Sequence, residues 1–386
     1  MKKVFLFLLL PLQIFSQTYQ QIHEAAIVVD THNDILTEST EKGVVFDTDL
    51  RGKTHSDLAR WKQGGLDVQI YSVFCDGNKK EPYKYANRQM DTADAVAKRN
   101  PDKIVRVANS KELLKVVAQH KIATMFGVEG GHMIENDLDK LDALYKRGAR
   151  YMTLTWNNST DWATSAFDER FKPDLKHKGL TDFGKKVVRR MNKRGMLVDI
   201  SHVGETTFWD VMKTTKKPVI ASHSSVYHFC HHQRNLKDDQ IRAVAKNGGV
   251  IQVNFYSGFL DSNFMKRKDA FLANHKSERD SIIKSGKPDF IAEVFLFNKY
   301  PTETNSMRAP FELLMAHIEY IIKLVGIDYV GLGSDFDGIE SPPQLLDDVT
   351  TYPLITKSLL EKGYSAADVT KVLGGNFLRV LKANEH

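Results

Sequence analysis

The chain has 386 residues, of which 42% are hydrophobic and 26% charged. That composition is globular and excludes disordered, collagen-like and disulfide-scaffold classes. The formal charge of +6, from 54 Lys and Arg against 48 Asp and Glu, is scattered rather than gathered in a stripe, so it leaves no footprint for nucleic acid.

Met1-Lys2-Lys3 is followed by an apolar run over 4–15, interrupted by Pro11 and Gln13, and then by small Ser16. This cationic, apolar, small-residue order predicts a secretory leader over residues 1–16. The apolar part is shorter than the ~20 residues that span a bilayer, and no later run reaches that length. The expectation is an exported protein, periplasmic or secreted, with no integral membrane segment in the mature chain. Export permits disulfides, yet only Cys75 and Cys230 are present. They form one bridge or serve as two small buried hydrophobes, and burial habit favours the second.

Eight short β-rich runs follow, over 25–29, 66–74, 123–128, 151–155, 196–200, 218–221, 249–255 and 329–332. Several are continuous apolar stretches, as expected of parallel strands covered on both faces. Helical periodicity fills the intervals. It runs over 136–147 before Gly148, 181–194 before Gly195 and 238–247 before Gly248. A last stripe of Leu313, Leu314, Ile318, Ile321, Ile322 and Val325 starts from Pro310 as first helical residue and stops at Gly326. Eight alternations predict a single TIM-like (β/α)8 barrel over residues 17–386. A doubly wound sheet is the competing architecture, but no Gly-rich phosphate loop follows an early strand. Insertions are expected near 36–65 and 256–306.

Barrel chemistry collects at the C-terminal strand ends. The first run leads into Asp30-Thr31-His32-Asn33-Asp34, the third into Gly127-Val128-Glu129-Gly130-Gly131-His132, and the fifth into Asp199-Ile200-Ser201-His202. The sixth gives Ala221-Ser222-His223-Ser224 and the eighth Gly333-Ser334-Asp335-Phe336-Asp337-Gly338. A lone His-x-Asp recurs by chance, but three His and three acids at successive strand ends do not. Imidazole and carboxylate suit zinc or a similar divalent ion, and a carboxylate can bridge two. Two bridged ions polarise a carbonyl and generate hydroxide, with a remaining acid to accept the proton.

Together with Arg234-Asn235, these stretches resemble the membrane dipeptidase (renal dipeptidase-like) family of zinc metallopeptidases over nearly the whole mature chain. The resemblance implies a TIM-like (β/α)8 barrel of the metal-dependent hydrolase type, two Zn2+ ions per chain, a dipeptide as substrate and a homodimer as the assembly. His32 and Asp34 would hold one zinc, His202 and His223 the other, and Glu129 would bridge them. Asp335 would orient and deprotonate the bridging water, and Arg234 would grip the substrate's C-terminal carboxylate bidentately. The expected activity is therefore that of an exported dizinc dipeptidase using metal-activated hydroxide. Two rivals stand beside it: an amidohydrolase acting on N-acyl amino acids or other amides, and a non-catalytic metal-containing binding protein.

One departure from the family pattern is plain. Where the family usually has Leu-Thr-His, with the His on the scissile carbonyl, the chain reads Leu154-Thr155-Trp156. Trp156 offers only one indole N–H donor. Asn157, Asn158 and Trp162 are the candidates to compensate. Tyr256 is expected as a wall of the substrate pocket and His132 as support for the loop at Glu129. Asp337 reads as a turn residue before Gly338, and His231-His232 as a solvated loop.

Overall fold

The computed structural model describes residues 18–386, so the expected leader lies outside the described residues. Among the described residues nine parallel strands form one sheet. They are β1 (Val29–Asn33), β2 (Val68–Phe74), β3 (Ile104–Arg106), β4 (Ile122–Glu129), β5 (Ala149–Thr153), β6 (Leu197–Asp199), β7 (Ile220–Ala221), β8 (Val250–Val253) and β9 (Val330–Leu332). Eight of them, β1-β2-β4-β5-β6-β7-β8-β9, curl into a nearly closed barrel, with helices in the connections. This is the predicted TIM-like (β/α)8 architecture.

Three details differ from the sequence expectation. The first strand starts four residues later than 25–29, because Thr18 and Gln21 build a capping box that makes Tyr19–Ala25 a helix. His32 therefore lies inside β1 rather than beyond it. The short β3 was not anticipated. It pairs with the N-terminal half of β4, whereas β5 takes the C-terminal half. Pro310 is the N-cap of Phe311–Val325 rather than its first residue, with extended backbone at φ −57° and ψ 143°. The helices over 182–194 and 238–247 end as expected, on left-handed Gly195 and Gly248.

Val29, Ile70, Met125, Leu197, Ile220 and Val250 come from six strands and meet in one buried cluster, joined by Phe377, Val380 and Leu381 of the C-terminal helix. Each such side chain contributes about 1.5–3 kcal/mol when fully buried. That apolar plug leaves the opposite, C-terminal strand ends for polar groups. The 36–65 segment carries a helix at Leu58–Gln63. The 256–306 segment folds into five helices around Phe264, Phe271, Leu296 and Phe297. Cys75 and Cys230 are both buried free thiols, so the bridge does not form. Among the described residues no helix is long and apolar enough to cross a membrane.

The seam between β1 and β9 closes the barrel next to the site. Asp335 N–H donates to the His32 carbonyl at 3.1 Å and Asp34 N–H to that of Phe336 at 2.9 Å. Buried Asp30 locks this seam, accepting from Ser334 N (2.9 Å), Ser334 Oγ (2.7 Å), Tyr352 OH (2.7 Å) and His32 N (3.2 Å). Asp30→Ala strands several buried donors at once. It is expected to lower unfolding stability by about 3 kcal/mol or more, read from denaturant melts at fixed metal content.

Candidate active site

Six of the predicted residues converge at the C-terminal end of the barrel. His32 sits near the end of β1 and Glu129 ends β4, while His202, His223 and Asp335 follow β6, β7 and β9 within three residues. Asp34 joins them from the N-cap of the helix Ile35–Lys42. His202 and Asp335 both adopt left-handed backbone, at φ 64° and 63°. Non-glycine residues accept that conformation only where the surrounding structure enforces it.

Glu129 organises the cluster. Its Oε2 lies 3.2 Å from His32 Nε2, and its Oε1 lies 2.9 Å from His202 Nε2 and 3.6 Å from His223 Nε2. His32 Nε2 is also 3.5 Å from Asp34 and 3.9 Å from Asp335. One carboxylate thus faces an acidic half with one oxygen and a two-imidazole half with the other. Ser72 Oγ donates to Oε2 at 2.9 Å and fixes its orientation.

The outward ring nitrogens reveal the tautomers. Tyr151 OH donates to the Thr31 carbonyl at 3.0 Å, so at 2.8 Å it accepts the Nδ1–H of His32. Ser222 Oγ donates to Asp199 at 2.6 Å and accepts from His223 Nδ1 at 2.7 Å. His202 Nδ1 faces Asn157 Oδ1 at 3.3 Å. With each Nδ1 carrying its proton, all three rings turn inward the Nε2 that bears the lone pair when the ring is neutral. The Nε2 atoms of His202 and His223 are 2.9 Å apart, and two lone pairs cannot hydrogen-bond to each other. His32 Nε2 is buried without a hydrogen-bond partner among the described residues.

Electrostatics point the same way. Burial disfavours the His32 imidazolium, but Glu129, Asp34 and Asp335 outweigh it and lift the ring to about 10. The position before its Nε2 therefore demands positive charge. Burial, aided by nearby Arg234, lowers His202 to about 3, and burial with His32 lowers His223 well below the usual range. These two rings stay neutral and ligand-ready. Burial would raise Glu129, yet the charge of neighbouring His32 outweighs it and holds the carboxyl well below the carboxylate range. Burial raises Asp335 to about 6.

A cavity of about 360 Å³ opens over this centre, lined by Trp156, Asn157, Arg234, Tyr256, Phe259 and Asp335 among others. Arg234 is buried. Its Nη2 reaches the His223 carbonyl at 3.3 Å, while Nε and Nη1 have no partner among the described residues. Trp156 packs on Phe74 with ring centroids 4.9 Å apart. Tyr256 lines the cavity and donates its hydroxyl to Glu340 at 2.9 Å. Asp337 is indeed a turn residue, and its carboxylate also accepts from His55 N at 2.5 Å and from Ser56 Oγ, pinning the 36–65 segment beside the site. His132 bonds to the Cys75 carbonyl at 3.0 Å.

A sequence model of the membrane dipeptidase family, peptidase family M19, matches residues 16–386. The chain belongs to this family. An uncharacterized dipeptidase of Schizosaccharomyces pombe is 33% identical, over 97% of this chain and 84% of the relative. The fold is shared with the probable dipeptidase PvdM of Pseudomonas aeruginosa, at TM-score 0.76 and 24% identity over 95% and 97% of the two chains. It is shared too with a Rhodobacter sphaeroides metallopeptidase liganded with a phosphinate mimic of L-Ala-D-Ala, at TM-score 0.74 and 21% identity over 93% and 99%. M19 enzymes are metallopeptidases, and this M19 chain is a hydrolase with possible metal-binding groups at His32, Glu129 and His223 and at His32, Asp34 and Asp335.

Residues that support the clustered side chains were not picked out by sequence reasoning. Tyr151 crosses to His32 only because Gly127 lies beneath it, where a Cβ would come within 1.9 Å of the ring. Asp199 accepts from Thr153 Oγ1 (2.5 Å), Ser201 N (3.0 Å), Ser222 N (2.9 Å) and Ser222 Oγ (2.6 Å). Asn254 Nδ2 donates to Asp335 Oδ2 at 2.8 Å. The usable signal was a polar residue interrupting the end of an apolar run, since Asp199 and Asn254 each stand one residue before theirs closes.

Proposed function

We propose that this M19 hydrolase is a zinc-dependent dipeptidase holding two ions. His32 and Asp34 hold one, His202 and His223 the other, and Glu129 is shared between them. The inward lone pairs, the unpartnered Nε2 of His32 and the divided oxygens of Glu129 all fit that assignment. Zinc, when bound, supplies the Lewis acidity that deprotonates water near neutral pH and polarises a carbonyl. Asp335 takes up the water's proton and returns it to the leaving nitrogen, with Asn254 holding its Oδ2 so that Oδ1 faces the centre. Trp156 with Phe74, and Tyr256 with Phe259, wall off the substrate. Export through residues 1–16 and assembly as a homodimer belong to the same reading, on the leader-like start and the family resemblance.

Arg234 carries the choice of substrate. A buried guanidinium with two nitrogens unpartnered among the described residues, beside the centre, calls for a carboxylate, and a dipeptide brings one two bonds beyond its scissile nitrogen. Burial lowers Arg234 to about 10, so it stays charged at neutral pH. Free dipeptides are expected to be hydrolysed far faster than their C-terminal amides. Arg234→Met should erase that advantage, raising KM for dipeptides about 100-fold, the worth of a charge-assisted pair at about 3 kcal/mol. The test is a panel of dipeptides, dipeptide amides and N-acyl amino acids, run beside metal analysis. Equal rates on dipeptides and amides would overturn the assignment. A phosphinate dipeptide mimic is expected to inhibit competitively.

A further inference from the structure

The family's usual His on the scissile carbonyl is absent here, and the structure shows what stands nearby. Trp162 is enclosed, its indole ring against Gly131 and Gly184 and its Nε1 buried without a partner among the described residues. Asn158 folds over Gly77, and its Nδ2 goes to the Ser159 carbonyl. Neither lines the cavity. Trp156 and Asn157 both do, and of the two it is Asn157 that is held by hydrogen bonds.

Asn157 is fixed from two sides. Ser165 Oγ donates to its backbone carbonyl at 2.7 Å. Its side-chain Oδ1 lies 3.3 Å from His202 Nδ1. Because His202 turns Nε2 towards Glu129 and His223, its N–H is on Nδ1, and only the amide oxygen of Asn157 can accept it. The amide nitrogen is thereby turned away from His202. It has no hydrogen-bond partner among the described residues, in a side chain that lines the cavity beside Glu129 and Asp335. Trp156 instead has its ring packed on Phe74, as an apolar wall.

We propose that Asn157 is a further catalytic residue, its Nδ2–H donating to the scissile carbonyl oxygen as negative charge develops there. The assignment rests on the dipeptidase reading above. A donor held in place before the reaction stabilises that charge without reorganising, and losing one such donor costs about 100-fold or more in rate. The same side chain orients His202, so Asn157 ties the geometry of the metal half to the donor for the substrate.

Three variants separate these roles, each followed by kcat, KM, zinc content and the inhibition constant of a phosphinate dipeptide mimic. Asn157→Asp keeps the acceptor for His202 and deletes the donor. It is expected to retain the parent's zinc content, lose about 100-fold in kcat with KM nearly unchanged, and weaken the tetrahedral phosphinate in step. Asn157→Ala deletes both functions and should also lose zinc more readily. Trp156→Phe removes the indole N–H and trims the substrate wall, so it is expected to raise KM while lowering kcat far less than Asn157→Asp does. The inference is overturned if Asn157→Asp keeps its kcat, if it loses zinc as Asn157→Ala does, or if Trp156→Phe bears the 100-fold loss instead. A parent enzyme that cleaves no dipeptide would bring down the dipeptidase reading itself. A parent that cleaves them while Asn157→Asp matches it would bring down only this inference.

Discussion

Asp335→Asn is expected to lower kcat on dipeptides by about 10³-fold while zinc content stays at the parent level. The size is that of losing a positioned acid–base group. The substitution is nearly isosteric, and an amide oxygen can still accept from Asn254 Nδ2, which now lies 2.8 Å from Asp335 Oδ2. The fold around it should therefore persist, including the seam bond from Asp335 N–H to the His32 carbonyl. What changes is proton capacity. Burial lifts the Asp335 carboxyl to about 6, where it can accept a proton and release it near neutral pH, and an amide can do neither. Geometry leaves a second role open to test, because Asp335 Oδ1 stands 3.9 Å from His32 Nε2 and belongs to one metal-sized group with His32 and Asp34. If Asp335 were a ligand instead, the Asn variant would lose zinc together with activity. Undiminished turnover would remove Asp335 from the mechanism altogether.

The positions of the clustered His and acidic residues were legible because the barrel forces them to be. Apolar runs buried on both faces can tolerate charge only where they end, so Glu129, His202, His223 and Asp335 stand out against Val128, Ile200, Ala221 and Leu332. His32 was found for the same reason, although β1 starts later than its apolar run suggests. Its neighbour Asp30 looked like part of the ligand motif and instead faces Ser334 and Tyr352 across the seam. No spacing along one strand predicts that, since it depends on which residues β9 and the 349–361 region bring alongside. Tyr151 and Gly127 were hidden for a related reason. They are partners across β4 and β5, and a glycine in one strand acquires meaning only when the ring from the next passes over it. Asn157 was visible as one of three candidates, and only the closed geometry separates it from Asn158 and Trp162.

Glu129→Gln is expected to be more damaging still, with zinc falling below two per chain and kcat down by at least three powers of ten. Glu129 is the one side chain whose two oxygens face different halves of the centre, Oε2 towards His32 and Oε1 towards His202 and His223. A glutamine has one acceptor oxygen and an NH2 group that carries no lone pair for a metal. Whichever half receives the NH2 loses its ligand. The several kcal/mol of charge stabilisation that a bound ion supplies translate into such factors at about 1.4 kcal/mol per tenfold. Zinc titration of the melting temperature provides the independent readout. An ion present at about 100 times its Kd stabilises the fold by about 2.7 kcal/mol, so the parent should melt well above its chelated form and the variant should show a smaller gap. Glu129→Asp sharpens the comparison, because it keeps both oxygens and the charge but withdraws them by one methylene from His202. It should recover part of the zinc and less of the rate. Two bound zinc ions and near-parent kcat in Glu129→Gln would show that the two halves do not depend on a shared carboxylate, and the binuclear assignment would fall with it.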